Sequence, residues 1–196
     1  VAEIQSSRGE GNVGDAESSF QNLQKAVALQ EKLVADKAAG DSNDKRVLAG
    51  FYLSLSEKYS VKGDLDCQDR FARLALKLRE ELLSEDPNRF QLRSDVASAK
   101  WSVAMSVRMR GDYASANTIF LETAGVYEAL AAEDPEQRAK HLRNAALVYK
   151  TYGAGLAAKG DNANALAFYQ KALAIDETNA AADPLSVSNQ LDLSFS

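Results

Sequence analysis

From Asp15 to about Asp36 the apolar residues Phe20, Leu23, Val27, Leu29 and Leu33 recur at helical spacing rather than in strict alternation. The same rhythm returns over roughly 43–62, in Val47, Phe51, Tyr52, Leu55 and Tyr59, and over 64–85, in Leu65, Phe71, Leu74, Leu78 and Leu82. It predicts further helices over about 87–110, 112–133, 135–159 and 161–178. Residues 185–196 open one more, where Leu191-Asp192-Leu193-Ser194 matches the pattern of Arg93-Ser94-Asp95-Val96-Ala97. Residues 1–13 offer only Ile4 and Val13 as large apolar groups, and Gly9, Gly11 and Gly14 crowd their end; a short, frayed or truncated helix is expected there. The pattern predicts an all-α chain.

Two dipeptides punctuate these helices. Gly-Asp stands at Gly14-Asp15, Gly63-Asp64, Gly111-Asp112 and Gly160-Asp161, spaced 49, 48 and 49 residues. Asp-Pro stands at Asp86-Pro87, Asp134-Pro135 and Asp183-Pro184, spaced 48 and 49. A fixed period of this length marks repeated supersecondary units. Gly after a helical run suits the left-handed position that ends a helix, and Asp directly after it can cap the next one. Gly-Asp therefore reads as a tight joint between antiparallel helices. Asp-Pro reads as the second joint, with Asp capping and Pro at the first helical position; Gln137 is placed to complete a capping box there. Gly40-Asp41-Ser42 replaces Asp-Pro in the first period, with Asp41 or Ser42 as the cap. The expected organisation is one helical-repeat domain over 1–196, with hairpins at about 1–38, 42–85, 87–133 and 135–178, then a truncated helix at 185–196.

Counting from each Gly gives a signature. Fourteen residues before it stand Ala49, Ala97 and Ala146; eight before, Leu55, Val103 and Tyr152; seven before, Ser56, Ala104 and Gly153. Five after stand Ser19, Gln68, Ala116 and Ala165; nine after, Leu23, Ala72, Phe120 and Tyr169; twelve after, Ala26, Ala75, Thr123 and Ala172. Small residues at a close helix crossing, with large ones around it, account for this alternation. The signature resembles the tetratricopeptide repeat over about residues 14–183. The resemblance implies a right-handed α-solenoid of antiparallel hairpins with a concave groove that holds a protein or peptide. The period departs from the family's 34 residues by about 14, roughly two extra turns per helix. Glu31, Glu80, Glu128 and Glu177 stand where the family has its closing Pro.

A narrower resemblance is carried by Tyr169-Gln170-Lys171-Ala172-Leu173-Ala174-Ile175 and Ala129-Leu130-Ala131-Ala132-Glu133-Asp134-Pro135. These stretches are similar to long repeats found C-terminal to bacterial serine/threonine kinase domains. That implies an alternative role, a regulatory or sensor arm whose kinase activity resides outside this segment. The segment itself has no glycine-rich kinase loop, His-Arg-Asp or Asp-Phe-Gly.

The groove positions that the family resemblance implies read Leu53, Glu57, Trp101, Met105 and Lys150, and Arg108 continues the face of Trp101 and Met105 by helical spacing. A tryptophan–methionine–arginine strip suits a peptide-binding surface, because aromatic and arginine side chains anchor interfaces. The alternative is that the lengthened helices bury Trp101 as core. Both readings stand at this point.

Composition narrows the function classes. A net charge of −5 argues against a nucleic-acid backbone as main partner. No apolar run approaches a membrane span. Cys67 is the single cysteine and His141 the single histidine. Cys67 reads as a half-buried small residue and His141 as an exposed one. Glu80-Glu81 and Glu85-Asp86 read as solvated faces, and Gly9-Glu10-Gly11-Asn12-Val13-Gly14 follows no strand, so it is no dinucleotide loop. No catalytic residue, metal or cofactor is expected. The start at Val1 and the lack of a further Gly-Asp after residue 185 suggest a segment of a longer bacterial protein, cytoplasmic or extracytoplasmic. Exposed repeat ends would also allow chains to associate.

Overall fold

The computed structural model describes residues 15–36 and 41–195. Among them run α1 (Asp15–Asp36), α2 (Ser42–Lys62), α3 (Leu65–Glu85), α4 (Phe90–Met109), α5 (Tyr113–Glu133), α6 (Arg138–Ala158), α7 (Asn162–Ala182) and the short α8 (Val187–Ser194). A single 3-10 turn, Pro135–Gln137, precedes α6. No strand occurs among the described residues. The helix expected before Asp15 and the glycine stops Gly14 and Gly40 lie outside them.

The Gly-Asp joints form as their chemistry requires. Gly63, Gly111 and Gly160 have φ of 75°, 88° and 81°, the left-handed region that side chains disfavour. Around Gly111, the Gly111 N–H donates to Arg108 O at 2.9 Å and the Asp112 N–H to Val107 O at 3.2 Å. These crossed bonds close the last carbonyls of α4. The Asp112 carboxylate then accepts from Ser115 N at 3.1 Å and opens α5. Asp64 caps α3 on Cys67 N, and Asp161 caps α7 on Asn164 N, in the same way. Asp41 caps α2 by accepting from Asn43 N at 2.9 Å.

The Asp-Pro joints differ from expectation. Only at Asp134-Pro135 does the proline begin a helical turn, with Asp134 accepting from Gln137 N at 3.4 Å. Gln137 does not complete a box, because the Asp134 N–H is already held by Leu130 O at 2.8 Å. After Asp86-Pro87 the helix waits until Phe90, and after Asp183-Pro184 until Val187, where Ser186 supplies the cap. The reason is local: Pro87 and Pro184 sit in turns, and helical hydrogen bonding resumes only three residues later.

The signature positions are the packed ones. Ala49, Ala97 and Ala146 are buried, as are Ser56, Ala104 and Gly153 opposite Gln68, Ala116 and Ala165. Gly153 shows why small residues stand there: a Cβ would lie 3.2 Å from the Tyr169 ring and 3.3 Å from Ala165 O. Ser56 Oγ uses the same closeness to donate to Gln68 O at 2.9 Å.

The chain divides into two compact units on either side of Pro87 and Asn88. In the first, α1, α2 and α3 pack in sequence around Phe20, Leu23, Val27, Leu48, Tyr52 and Leu55. In the second, α4, α5, α6, α7 and α8 each pack on the next. Lys62 pairs with Glu17, and Arg93 with Glu133, which fixes neighbouring helices antiparallel. The fold is all-α, built of antiparallel helical hairpins.

Candidate functional site

The six groove positions fall in both units. In the first, Leu53 on α2 is half-buried against the aromatic and aliphatic core, and Glu57 one turn on is exposed. In the second, α4 carries Trp101, Met105 and Arg108, all half-buried, and α6 carries Lys150.

Arg108 gathers its surroundings. Its Nη1 donates to Thr151 O on α6 at 2.9 Å, and Nη2 lies 3.4 Å from the Met105 sulfur. The guanidinium stands 5.7 Å from the Phe120 ring centroid, and the Arg108 side chain lies against Gly155. Lys150 behaves alike one hairpin later. Its Nζ pairs with Asp176 Oδ2 on α7 at 2.8 Å and donates to Asp192 O on α8 at 3.0 Å. Both cations thus join a helix to later ones. Trp101 occupies the register of Lys150; its Nε1–H is buried and meets no acceptor among the described residues. Trp101 and Met105 are thus half-buried apolar residues one turn apart on α4, while Arg108 and Lys150 are both engaged by other helices.

Several polar groups matter more than the sequence indicated. His141, expected to be exposed, is 2% exposed, with Nε2 3.2 Å from Asp134 Oδ2 and Nδ1 without a partner among the described residues. His141 lies in the first turn of α6, just after the 3-10 turn that Asp134 caps, and bonds back to that Asp134. The seven-residue spacing from Asp134 was the available signal. Asp176 and Asn179 are buried on α7, one held by Lys150 and the other bridging Ala139 O and Asn189. Compensating registers could have shown the first: Lys150 stands where Trp101 and Leu53 stand, and Asp176 where Tyr127 and Arg79 stand.

The glutamates at the closing-proline register also bind across helices. Tyr52 Oη donates to Glu31 Oε1 at 2.7 Å, and Tyr149 Oη to Glu128 Oε1 at 2.8 Å. Burial, then the carboxylate bond, raises the Tyr52 phenol above its ordinary range. Burial likewise raises that of Tyr149, opposed by Lys171, which donates to its oxygen at 3.0 Å. Cys67 is half-buried, and the Asp64 hydrogen bond, then burial, pushes its thiol up. Among the described residues no cluster of three His, Cys, Asp or Glu side chains is arranged to hold a metal ion, and no helix is long and apolar enough to cross a membrane.

No protein-family model matches the sequence, and no curated protein matches it. Among solved structures, the crystal structure of BtubC (BKLC) from P. vanneervenii is 20% identical, overlaps at a TM-score of 0.59, and is matched over 92% of this chain and 70% of its own. The likeness is one of fold. A crystal structure of MamA, 15% identical and matched over 86% of this chain and 97% of its own, overlaps at a TM-score of only 0.28.

Proposed function

We propose that this chain is a non-catalytic scaffold that binds a protein or peptide partner, with Trp101 and Met105 as the apolar anchors. One observation carries this reading: the only tryptophan is half-buried, not sealed in the core, on α4 one turn from a half-buried methionine, on helices that Arg108 and Lys150 bond to later ones. Aromatic anchors in a rigid surround are what recognition surfaces concentrate. A frame made before binding also lowers the ordering cost of association. Arg108 and Lys150 act in this proposal mainly as supports. The role of a kinase arm gains nothing from the hairpins, which occur irrespective of what adjoins them.

The test is an immobilised peptide array probed with the intact chain and with Trp101→Ala and Met105→Ala. Sequences selected by the intact chain and lost by both variants, at unchanged helicity, support the reading. An array that selects no sequence, or one read equally by the variants, removes it.

A further inference from the structure

The imidazole of His141 is enclosed in the first turn of α6. Asp134 offers it only acceptor oxygens, so the neutral ring carries its proton on Nε2 and donates to Asp134 Oδ2 at 3.2 Å. The other oxygen of that carboxylate accepts from Gln137 N, and the Asp134 N–H closes α5 on Leu130 O. One aspartate therefore ties together the end of α5, the turn Pro135–Gln137 and the histidine. At the register of His141 the other two Asp-Pro joints place Arg93 and Gln190, and there Pro87 and Pro184 sit in turns. The joint that carries the histidine is the one that passes straight into helical hydrogen bonding.

The second ring nitrogen, Nδ1, is buried and has no partner among the described residues. In the neutral ring it is a bare lone pair. A proton added there makes a charged donor with no acceptor among the described residues, which burial penalises far more heavily. The surrounding charges decide whether the ring would accept that proton in place. Asp134 bonds to the ring and favours the cation, but it already serves Gln137 N. Among the other acids on the elements that meet here, Glu133 is taken by Arg93 and Asp176 on α7 by Lys150, while Glu136 and Asp183 are exposed. Asn179, which α7 sets on Ala139 O, brings no charge. Against the cation stand the positive end of α6 and the neighbouring Arg138 and Lys140 of the same turn. Burial, the bare Nδ1 and the helix end thus oppose a single shared carboxylate.

We propose that the Asp134-Pro135 joint is an acid-released latch, closed while the His141 ring is neutral and loosened when a proton on Nδ1 draws the ring out to water and away from Asp134. Imidazole is the side chain whose charge ordinarily changes between about pH 5 and 8, and His141 is the only histidine. The Asp64 and Asp112 caps, held below 3.8, stay ionised throughout that window. What the proton changes is the freedom of α6, and of the hairpin it opens, against the end of α5. The proposal goes beyond the scaffold reading and does not depend on the Trp101 face. An opened or unfolded chain takes up the proton that the closed joint refuses, so the stability of the joint is complete above the window and is lost as pH falls through it.

The experiment follows the full chain from about pH 8 to 5. Melting temperatures are measured by circular dichroism for the native chain and for His141→Gln, whose amide can still donate to Asp134 but does not titrate. The melting temperature of the native chain should fall on acidification, and that of His141→Gln should stay level. A rise on acidification would mean that Asp134 holds the ring as a cation, and it overturns the proposal; so do parallel curves for the two chains. Where His141→Gln does not fold, the native chain decides alone, because its one histidine gives an isolated imidazole signal in proton NMR. That signal is followed together with the backbone amide signals of Asp134, Gln137 and His141. A ring that titrates while these amides shift and exchange faster supports the latch. A ring that titrates without moving them, or that stays neutral to the end of the range, overturns it.

Discussion

Tyr149 Oη donates to Glu128 Oε1 at 2.8 Å across the α5–α6 junction, and Tyr52 Oη makes the same bond to Glu31 across α1–α2. In both cases a helix of one hairpin is bonded to the preceding hairpin at the same register of the repeat. Tyr149→Phe and Tyr52→Phe should each cost about 1 kcal/mol, the usual net worth of such a bond, with the ring packing kept. Urea unfolding of the two variants checks this. A loss below a few tenths in both would mean that these bonds merely replace equivalent ones to water.

The same tyrosines set an alkaline limit. Their folded pKa values lie above the ordinary 10.0, so at high pH the unfolded chain gives up phenol protons first. Their contribution is full below about pH 10 and is lost as pH rises through the folded values. The melting temperature should fall more steeply above pH 10 in the native chain than in the Tyr52→Phe/Tyr149→Phe double variant. Parallel curves would contradict the raised phenols.

Gly111→Ala should cost about 1 kcal/mol, because φ of 88° strains a residue with a Cβ, although space around it is open. Asp112→Ala should lower the melting temperature through its lost cap, and Asp112→Asn should keep most of it. Asp64 and Asp112 carboxyls lie below their ordinary value through hydrogen bonds to Cys67 and Ser115. Their stabilisation is present above about 3.8 and lost as pH falls through the folded values. Thermal melts of the Gly111 and Asp112 variants across pH 2–7 test joint and cap together; the Asp112→Asn melt should lose part of the acid slope.

Lys150 pairs with Asp176, a carboxylate only 2% exposed. Lys150→Met alone should destabilise by roughly 3–5 kcal/mol, since it removes one cation from a buried carboxylate. Lys150→Met with Asp176→Leu should recover much of that loss, because an apolar pair can replace a buried ion pair at little cost. Equal losses in the single and double variants would show that the Lys150 bond to Asp192 O, and not the pair, carries the effect.

Trp101→Ala separates the two readings of that residue. A partner-facing tryptophan should be lost with little change in unfolding free energy. A core tryptophan should cost about 3–5 kcal/mol. Chemical denaturation followed by circular dichroism measures the difference, and a loss in the upper range would remove Trp101 from the proposed binding face.

Helix positions and their Gly-Asp joints were legible in the sequence because both depend on neighbours in the chain. A left-handed turn needs glycine, a free helix start needs an acceptor, and a buried stripe needs helical spacing; Gly111, Asp112 and Ala104 each declare this within a few residues. The Asp-Pro starts were less legible, because a proline fits both a turn and a first helical position. Polar partners lay beyond this local code. By spacing alone His141 reads as exposed, yet it is buried on Asp134; Lys150 reads as a ligand-facing cation, yet it is paired with Asp176 and Asp192. The fate of Lys150 rests on which groups arrive from helices 26 and 42 residues away, that of His141 on how the turn after Asp134 meets its helix seven residues on, and both on how far each helix is rotated about its axis. Periodicity alone does not fix that rotation, since a small turn about the axis exchanges solvent for a carboxylate. Local chemistry along the chain set the repeat of hairpins; packing between helices chose which charges hold them together.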